Sequence, residues 1–455
     1  MAPARAPRAA ARALGLLLLA LLLPLRPADA QGLKRSQDNL LGSSSSYKSL
    51  QALQASSQAF KSQFKANRKS ACGDKAGSLC ASKASIDETA ALTVATSPPR
   101  FDARDPKDTG GAVLASPVRD QGACFSCTAF AVTGAAEAAV SAALGKDASA
   151  RKWSVQDLHF CLSKSDGESK SCRSSASSVL DVLKPFVSSP RSLVLEACLP
   201  YTAPDAPLDD DLCQTQCSDV DPDLKAGGKF EYVQLNSAWE VQQHIRTWGA
   251  AITRLDIYDD FKPFFEKTPG GVYAGPGRGA KFLEGHAVLL VGYDANKGAY
   301  LIKNSWGPEF GQGGYAWVSF AGGEKVGIGA LADTYGLRFR PTAAAPLPYT
   351  YSPGPKPDCV AVALPIGTWL STIAQQLRLP IRKLLVDNLD TITDLEKPLD
   401  PSKPLMVCGA PPAMIARMRK GAPPPPPPPA PKPAPAAGGG AAEESVAPAR
   451  GRVLG

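Results

Sequence analysis

The chain has 455 residues, enough for two or three domains, and with 44% apolar and 20% charged residues it can bury a sizeable core, which excludes wholesale disorder. Its 40 Gly and 42 Pro exceed what a packed core holds, so linkers or tails must carry them. The formal charge is +8, yet residues 99–341 hold 25 Lys and Arg against 29 Asp and Glu, which argues against a folded groove for nucleic acid.

At the N-terminus, Arg5, Arg8 and Arg12 precede the apolar run Leu14 to Leu23, and Ala28-Asp29-Ala30 is a small-x-small cleavage site. This predicts a secretory signal peptide over 1–30, because ten apolar residues are too few to cross a bilayer. No later stretch reads as a membrane span. The mature chain is therefore expected outside the cell, or in a lysosome or vacuole reached by the secretory route, where disulfides form. Residues 31–98 are Ser-, Ala- and Lys-rich, with 9 basic against 4 acidic side chains, and read as a propeptide-like segment. Leu50, Leu53, Phe60 and Phe64 there can share a loose helical face.

Strong apolar patterning begins near Phe101 and bounds a domain over 99–341. It opens with an Ala-rich helical stretch ending near Leu144 and continues into strand-like runs, Ala287–Tyr293 and Ala299–Lys303. Residues 342–356 read as a linker and 357–410 as a second, small unit. In that unit Leu370, Ile373, Ala374 and Leu377 recur at helical spacing behind Thr368, and Pro380 opens a second helix with Ile381, Leu384 and Leu385 inward. Val360–Leu364 and Pro404–Cys408 read as flanking strands, giving strand–helix–helix–strand. Residues 411–455 contain seven consecutive prolines, Pro423–Pro429, and are expected to form an extended or disordered tail.

The chemistry concentrates in Gln121-Gly122-Ala123-Cys124-Phe125-Ser126-Cys127-Thr128. Ser126 should lie near the N-cap of the Ala-rich helix and Cys127 in its first turn, where the dipole and unpaired N–H groups favour a thiolate, the nucleophilic form. Only three histidines are present. His286 enters a buried-looking strand, and Asn304 ends the next one in Lys303-Asn304-Ser305-Trp306-Gly307, so an Asn amide oxygen can orient the imidazole. His159 and His244 have no such partner nearby and read as packing or surface residues.

These three stretches, in this order, resemble the papain family of cysteine peptidases over about Phe101 to Arg340. The resemblance implies a two-lobed α+β fold, with a helical lobe and an antiparallel β-barrel-like lobe, acting on protein or peptide substrates in the cleft between them. It makes Cys127 the nucleophile, His286 the general base and acid, Asn304 its orienting group, and Gln121 with the Cys127 N–H the oxyanion hole. Trp306 would shield the His–Asn bond, while Phe125, Ser126, Ser174 and Ser175 would line the substrate site. No metal or cofactor is implied, and a monomer is expected. His286 lies 159 residues beyond Cys127, further than the ~130–150 usual in the family; the Pro/Asp-rich stretch 203–224 reads as an insertion.

Two departures flank the cysteine: Phe125 stands where the family has Gly, and Thr128 where it has Trp. Ser174-Ser175 likewise replaces a glycine pair. These changes imply either altered preference at the scissile residue or an impaired, glycan-binding scaffold. The charge of 31–98 opposite that of 99–341 predicts that the segment shields the cleft or is removed. The resemblance also pairs Cys124 with Cys172. Cys161, Cys198, Cys213 and Cys217 form a group of four whose connectivity stays open. Cys72–Cys80 and Cys359–Cys408 are the simplest remaining pairs, so the eleventh cysteine, Cys127, is left over.

The small unit is similar to the lysin motif, a module that binds N-acetylglucosamine glycans, through Gly367-x-x-Leu370-x-x-Ile373-Ala374 and Leu384-Leu385-x-x-Asn388. By that resemblance Gly367, Thr368 and Trp369, with Asp390, Thr391 and Ile392, would line a glycan groove, and Trp369 would offer a stacking face.

Overall fold

The computed structural model describes residues 94–409, except 164–170, 173–175, 177, 203–216, 329–332, 343–348, 366 and 378, together with parts of 54–62 and residues 415, 416 and 418. The expected signal peptide, Cys72, Cys80, Cys213, Ser174, Ser175 and the proline run lie outside the described residues.

Chain order in the larger part is β1 (Arg100–Asp102), α1 (Cys127–Leu144), a π-helical turn (Asp157–Leu162), α2 (Leu180–Ser188), β2 (Gly228–Gln234) and α3 (Ala238–Trp248). It continues with β3 (Ala251–Tyr258), α4 (Phe261–Lys267), β4 (Val272–Tyr273), β5 (Phe282–Asp294), β6 (Ala299–Lys303), β7 (Tyr315–Ser319), α5 (Phe320–Lys325) and β8 (Thr334–Pro341). The strands form one sheet in the order β2-β8-β3-β5-β6-β7-β4, with β1 added onto β5. All its pairs are antiparallel except β4 with β7. Among the described residues this path does not close on itself, so the barrel-like lobe expected from sequence is an open sheet in its pairing.

β5 explains part of that openness. Its first stretch pairs with β3 and its last three residues pair with β1. The change of partner passes Gly292, where an added Cβ would lie 2.6 Å from the Phe101 carbonyl oxygen, so only a bare backbone lets β1 approach.

α1 is the central core helix. Every residue from Thr128 to Ser141 is buried, because its Ala-rich faces permit close packing all round. A Cβ at Gly134 would meet Leu289 Cδ1 of β5 at 2.8 Å. By length and composition α1 is apolar enough to cross a membrane, contrary to the expectation that no later stretch qualifies, yet 78% of it is buried within the fold. Inside it Glu137 is fully buried and paired. Its Oε1 accepts from the Trp153 N–H at 2.8 Å and from Arg119 Nη2 at 3.3 Å, while Arg119 Nη1 donates to the Trp153 carbonyl at 2.8 Å.

The small unit has its own three-stranded sheet and its own apolar core. β10 (Cys359–Ala363), α6 (Leu370–Leu377), α7 (Ile381–Asp387) and β11 (Leu405–Cys408) follow the strand–helix–helix–strand order read from the sequence. Part of the stretch read as a linker is structured: Thr350–Pro353 is β9, which pairs antiparallel with β10. Cys359 and Cys408 face each other across β10 and β11 and are disulfide-bonded. Asn388 is buried between helix and sheet. Its Nδ2 donates to the Leu384 and Met406 carbonyls, and its Oδ1 accepts from the Met406 N–H at 2.6 Å.

The two parts meet at Ser371, whose Oγ–H donates to the Thr96 carbonyl at 3.0 Å, and whose Oγ lies 3.0 Å from Ser97 Oγ. The described residues of 54–62 are helical, and Gln54, Ser57 and Lys61 line a hollow shared with Trp239 and Arg246 of α3. Lys61 pairs with Glu396 of the small unit at 3.6 Å. These described residues lie beside α3, with Lys61 reaching the small unit, while most of the segment expected to shield the cleft or be removed lies outside the described residues.

Removing Glu137 would leave the Trp153 amide unpaired and Arg119 with only its 3.5 Å ion pairing to Glu196. Glu137→Ala is expected to cost about 3–5 kcal/mol in urea denaturation, whereas Glu309→Ala, on the surface, should leave the midpoint in place.

Candidate active site

Ser126 is the N-cap of α1 and Cys127 its first residue. Cys127 is the one free cysteine among the described residues. Cys124 is bonded to Cys172 and Cys198 to Cys217, and Cys161 is also disulfide-bonded. The group of four left open by the sequence is thereby resolved at Cys198–Cys217.

β5 brings His286 to Cys127, and the end of β6 brings Asn304 to the far side of the ring. His286 Nε2 lies 2.8 Å from Asn304 Oδ1, which also accepts from the Ser305 N–H at 2.8 Å. The other ring nitrogen is left for Cys127, whose charge acts on the ring. Trp306 stacks on the imidazole with centroids 4.8 Å apart and planes 28° from parallel, and both His286 and Asn304 are almost fully buried. The indole thus covers the His–Asn bond.

The electrostatics follow from that contact. Burial pushes the Cys127 thiol up, but the hydrogen bond and charge of His286 outweigh it, and the thiol ends below its ordinary value. Burial likewise pushes His286 down, while Cys127 and Asn304 more than compensate and raise it. Each group holds the other charged. Thr128, in the position of the usual Trp, adds a hydroxyl 4.0 Å from the sulfur.

Gln121 is fixed at three points. Its N–H donates to the Ser305 carbonyl at 2.8 Å, its Oε1 accepts from Ser305 Oγ at 2.6 Å, and one Nε2 hydrogen goes to the Cys124 carbonyl at 2.8 Å. The second amide hydrogen remains for a ligand. Phe125 projects 47% exposed between Cys124 and Cys127, its N–H held by the Cys172 carbonyl at 2.9 Å. Sequence reasoning missed Tyr201. Its hydroxyl lies 2.6 Å from Ser126 Oγ and 3.0 Å from the Gln121 carbonyl oxygen, and no local motif announces a contact across 75 residues.

The other histidines are core residues. His159 is buried edge-on to Phe160, and His244 stacks on Trp248 and is held at about 3 by burial and the nearby Arg338 charge.

The candidate glycan residues are placed less favourably. Gly367 and Asp390 are exposed and Trp369 and Thr391 half-buried. Ile392 belongs to the small unit's core, so its side chain cannot line a groove, which corrects the expectation from the resemblance. Thr368 is also buried, its hydroxyl spent on the Pro365 carbonyl at 2.7 Å and its carbonyl on the Leu399 N–H at 2.7 Å. The loop is packed from within because this short unit has few other residues to close its core. Among the described residues no group of three or more His, Cys, Asp or Glu is placed to hold a metal ion.

A family profile described as papain family cysteine protease matches residues 97–334. Cathepsin J of Mus musculus is 33% identical over 240 residues, 50% of this chain and 64% of its own length. Cathepsin K of Gallus gallus is 31% identical over 221 residues, 48% and 59% of the two chains. The chain thus spans less than two thirds of these relatives' length. A solved cysteine protease of Carica candamarcensis, in complex with E-64, is similar at 27% identity and a TM-score of 0.38, covering 53% of this chain and 99% of that one. With just over half of its residues inside the family profile, the chain belongs to the papain family of cysteine proteases.

Proposed function

We propose that the chain is a thiol peptidase that cleaves peptide bonds through a Cys127 acyl-thioester. The observation that carries this reading is that His286 and Cys127 shift each other's ionisation, while Asn304 Oδ1 holds the imidazole from 2.8 Å under Trp306. The thiolate attacks the scissile carbonyl. The developing oxyanion takes the free Gln121 amide hydrogen and the Cys127 N–H, which is unpaired as the first of α1. His286 gives its proton to the departing amine, which leaves the acyl-thioester. It then takes a proton from the water that hydrolyses the thioester, releasing the acid and restoring Cys127. Asn304 holds the ring in line throughout.

Phe125 places a ring where the family's glycine leaves space for the residue before the scissile bond. We therefore assign the enzyme a preference for small residues there. The small unit is proposed to bind N-acetylglucosamine glycans through its exposed edge at Gly367, Trp369 and Asp390, delivering the peptidase to a glycan surface. A chain carrying disulfides at Cys124, Cys198 and Cys359 fits delivery through the secretory route, to the exterior or to a lysosome or vacuole.

Cys127→Ala should abolish hydrolysis of an unstructured protein substrate, and Asn304→Ala should lower kcat about 10²-fold by freeing the imidazole. The rate should be bell-shaped in pH. It rises as the depressed Cys127 thiol ionises and falls as the raised His286 loses its proton, the two limbs belonging to the coupled pair. Absent turnover in the wild-type chain, with no Cys127 labelling by E-64, would favour the impaired-scaffold reading.

Phe125→Gly should admit bulky residues before the scissile bond, raising kcat/KM for a Leu or Phe substrate relative to Gly or Ala by about 10-fold or more, as scored on a fluorogenic peptide panel. An unchanged ranking would remove Phe125 from the specificity wall. For the small unit, chitotetraose should bind the full chain in calorimetry and Trp369→Ala should weaken it; no heat at millimolar sugar would reject glycan delivery.

A further inference from the structure

Gln121 and Cys127 stand at opposite ends of one short loop, and an oxyanion between them tolerates only ~0.5 Å of drift in either donor. Local bonds hold Gln121 to Ser305 and to the Cys124 carbonyl, and Phe125 to the disulfide-linked Cys172, but none of them reaches Ser126. The phenol of Tyr201 reaches both ends. Its O–H donates to the Gln121 carbonyl at 3.0 Å, which leaves its oxygen to accept the Ser126 hydroxyl at 2.6 Å. Ser126 is fully buried, and as a helix N-cap it would ordinarily turn its oxygen onto a first-turn N–H. It makes no such capping bond and points to Tyr201 instead. The phenol ring itself is seated on α1, edge-on to Phe130 with centroids 4.9 Å apart. Its backbone N–H is tied to Glu196 Oε1 at 3.0 Å.

We propose that the Tyr201 hydroxyl is a positioning group that fixes the spacing between the Gln121 amide and the Cys127 N–H, and so the rate of the chemical step. It rests on the peptidase reading above. The phenol touches no reacting atom; it sets where two groups that do are held. Burial, with the charges of Asp120 and Cys127, pushes its ionisation up, so it stays an O–H donor across the working range. The contribution falls on the oxyanion, which exists only after attack, so it should appear in kcat and leave substrate binding and the Cys127–His286 pair untouched.

Tyr201→Phe keeps the ring and its Phe130 contact and removes only the bridging oxygen. It should lower kcat by about 10-fold or more with KM within about 2-fold, while the pH dependence of Cys127 alkylation by iodoacetamide stays that of the wild type. The variant also leaves Ser126 Oγ buried without a partner, which by itself lowers Tm. Tyr201→Phe combined with Ser126→Ala separates the two effects. Tm should recover towards that of Ser126→Ala alone, while kcat stays low. A kcat within about 2-fold of wild type in Tyr201→Phe, or a kcat that recovers together with Tm in the double variant, would overturn the assignment. A wild-type chain with no turnover would instead bring down the peptidase reading and this inference with it.

Discussion

A thiolate survives in a largely enclosed setting only while a cation is held against it, and the site depends on that constraint. Burial alone would keep Cys127 protonated and His286 neutral. Their contact reverses both tendencies, so neither residue has its charge without the other. The surroundings serve to keep the two together: Asn304 on the far ring nitrogen, Trp306 over the ring, and the rigid start of α1 beneath the sulfur.

The scaffold is built to hold that contact across sequence-distant elements. The sulfur belongs to a helix and the imidazole to a strand, and the two elements pack at a separation that only small side chains allow, as Gly134 against Leu289 shows. The paired Arg119–Glu137 charges tie the same helix to the segment around Trp153. Gln121 is bonded to Ser305, so the 121–127 loop is fastened to the same turn that carries Asn304. The Cys127–His286 pair and the Gln121 amide thus share one frame.

The parts legible in the sequence were those coded locally. Cys127 before an Ala-rich run gives the helix start, Ala299–Lys303 is a strand residue for residue, and the spacing of Leu370, Ile373, Ala374 and Leu377 places α6. What stayed hidden depends on contacts between distant residues. Tyr201 reaches Ser126 and Gln121 from 75 and 80 residues further along the chain, and no pattern near residue 201 encodes this. β5 changes partner partway along because of a glycine that reads as ordinary strand. β9 lies within a Pro- and Tyr-rich stretch with linker composition, and it is a strand only because β10 offers an edge. Ile392 follows a motif-like position, yet the short unit needs it for its core. The described part of 54–62 lies beside α3 and pairs through Lys61 with Glu396, more than 300 residues on, which no local pattern announces.

The thiolate itself can be observed through its ultraviolet absorbance, taken as the difference between the wild-type chain and Cys127→Ser across the acid and neutral range. That absorbance should already be present below the ordinary thiol range of about 8.5, and be displaced up to or beyond that range in His286→Ala. A wild-type thiol that ionises only near the ordinary value, with or without His286, would contradict this pairing.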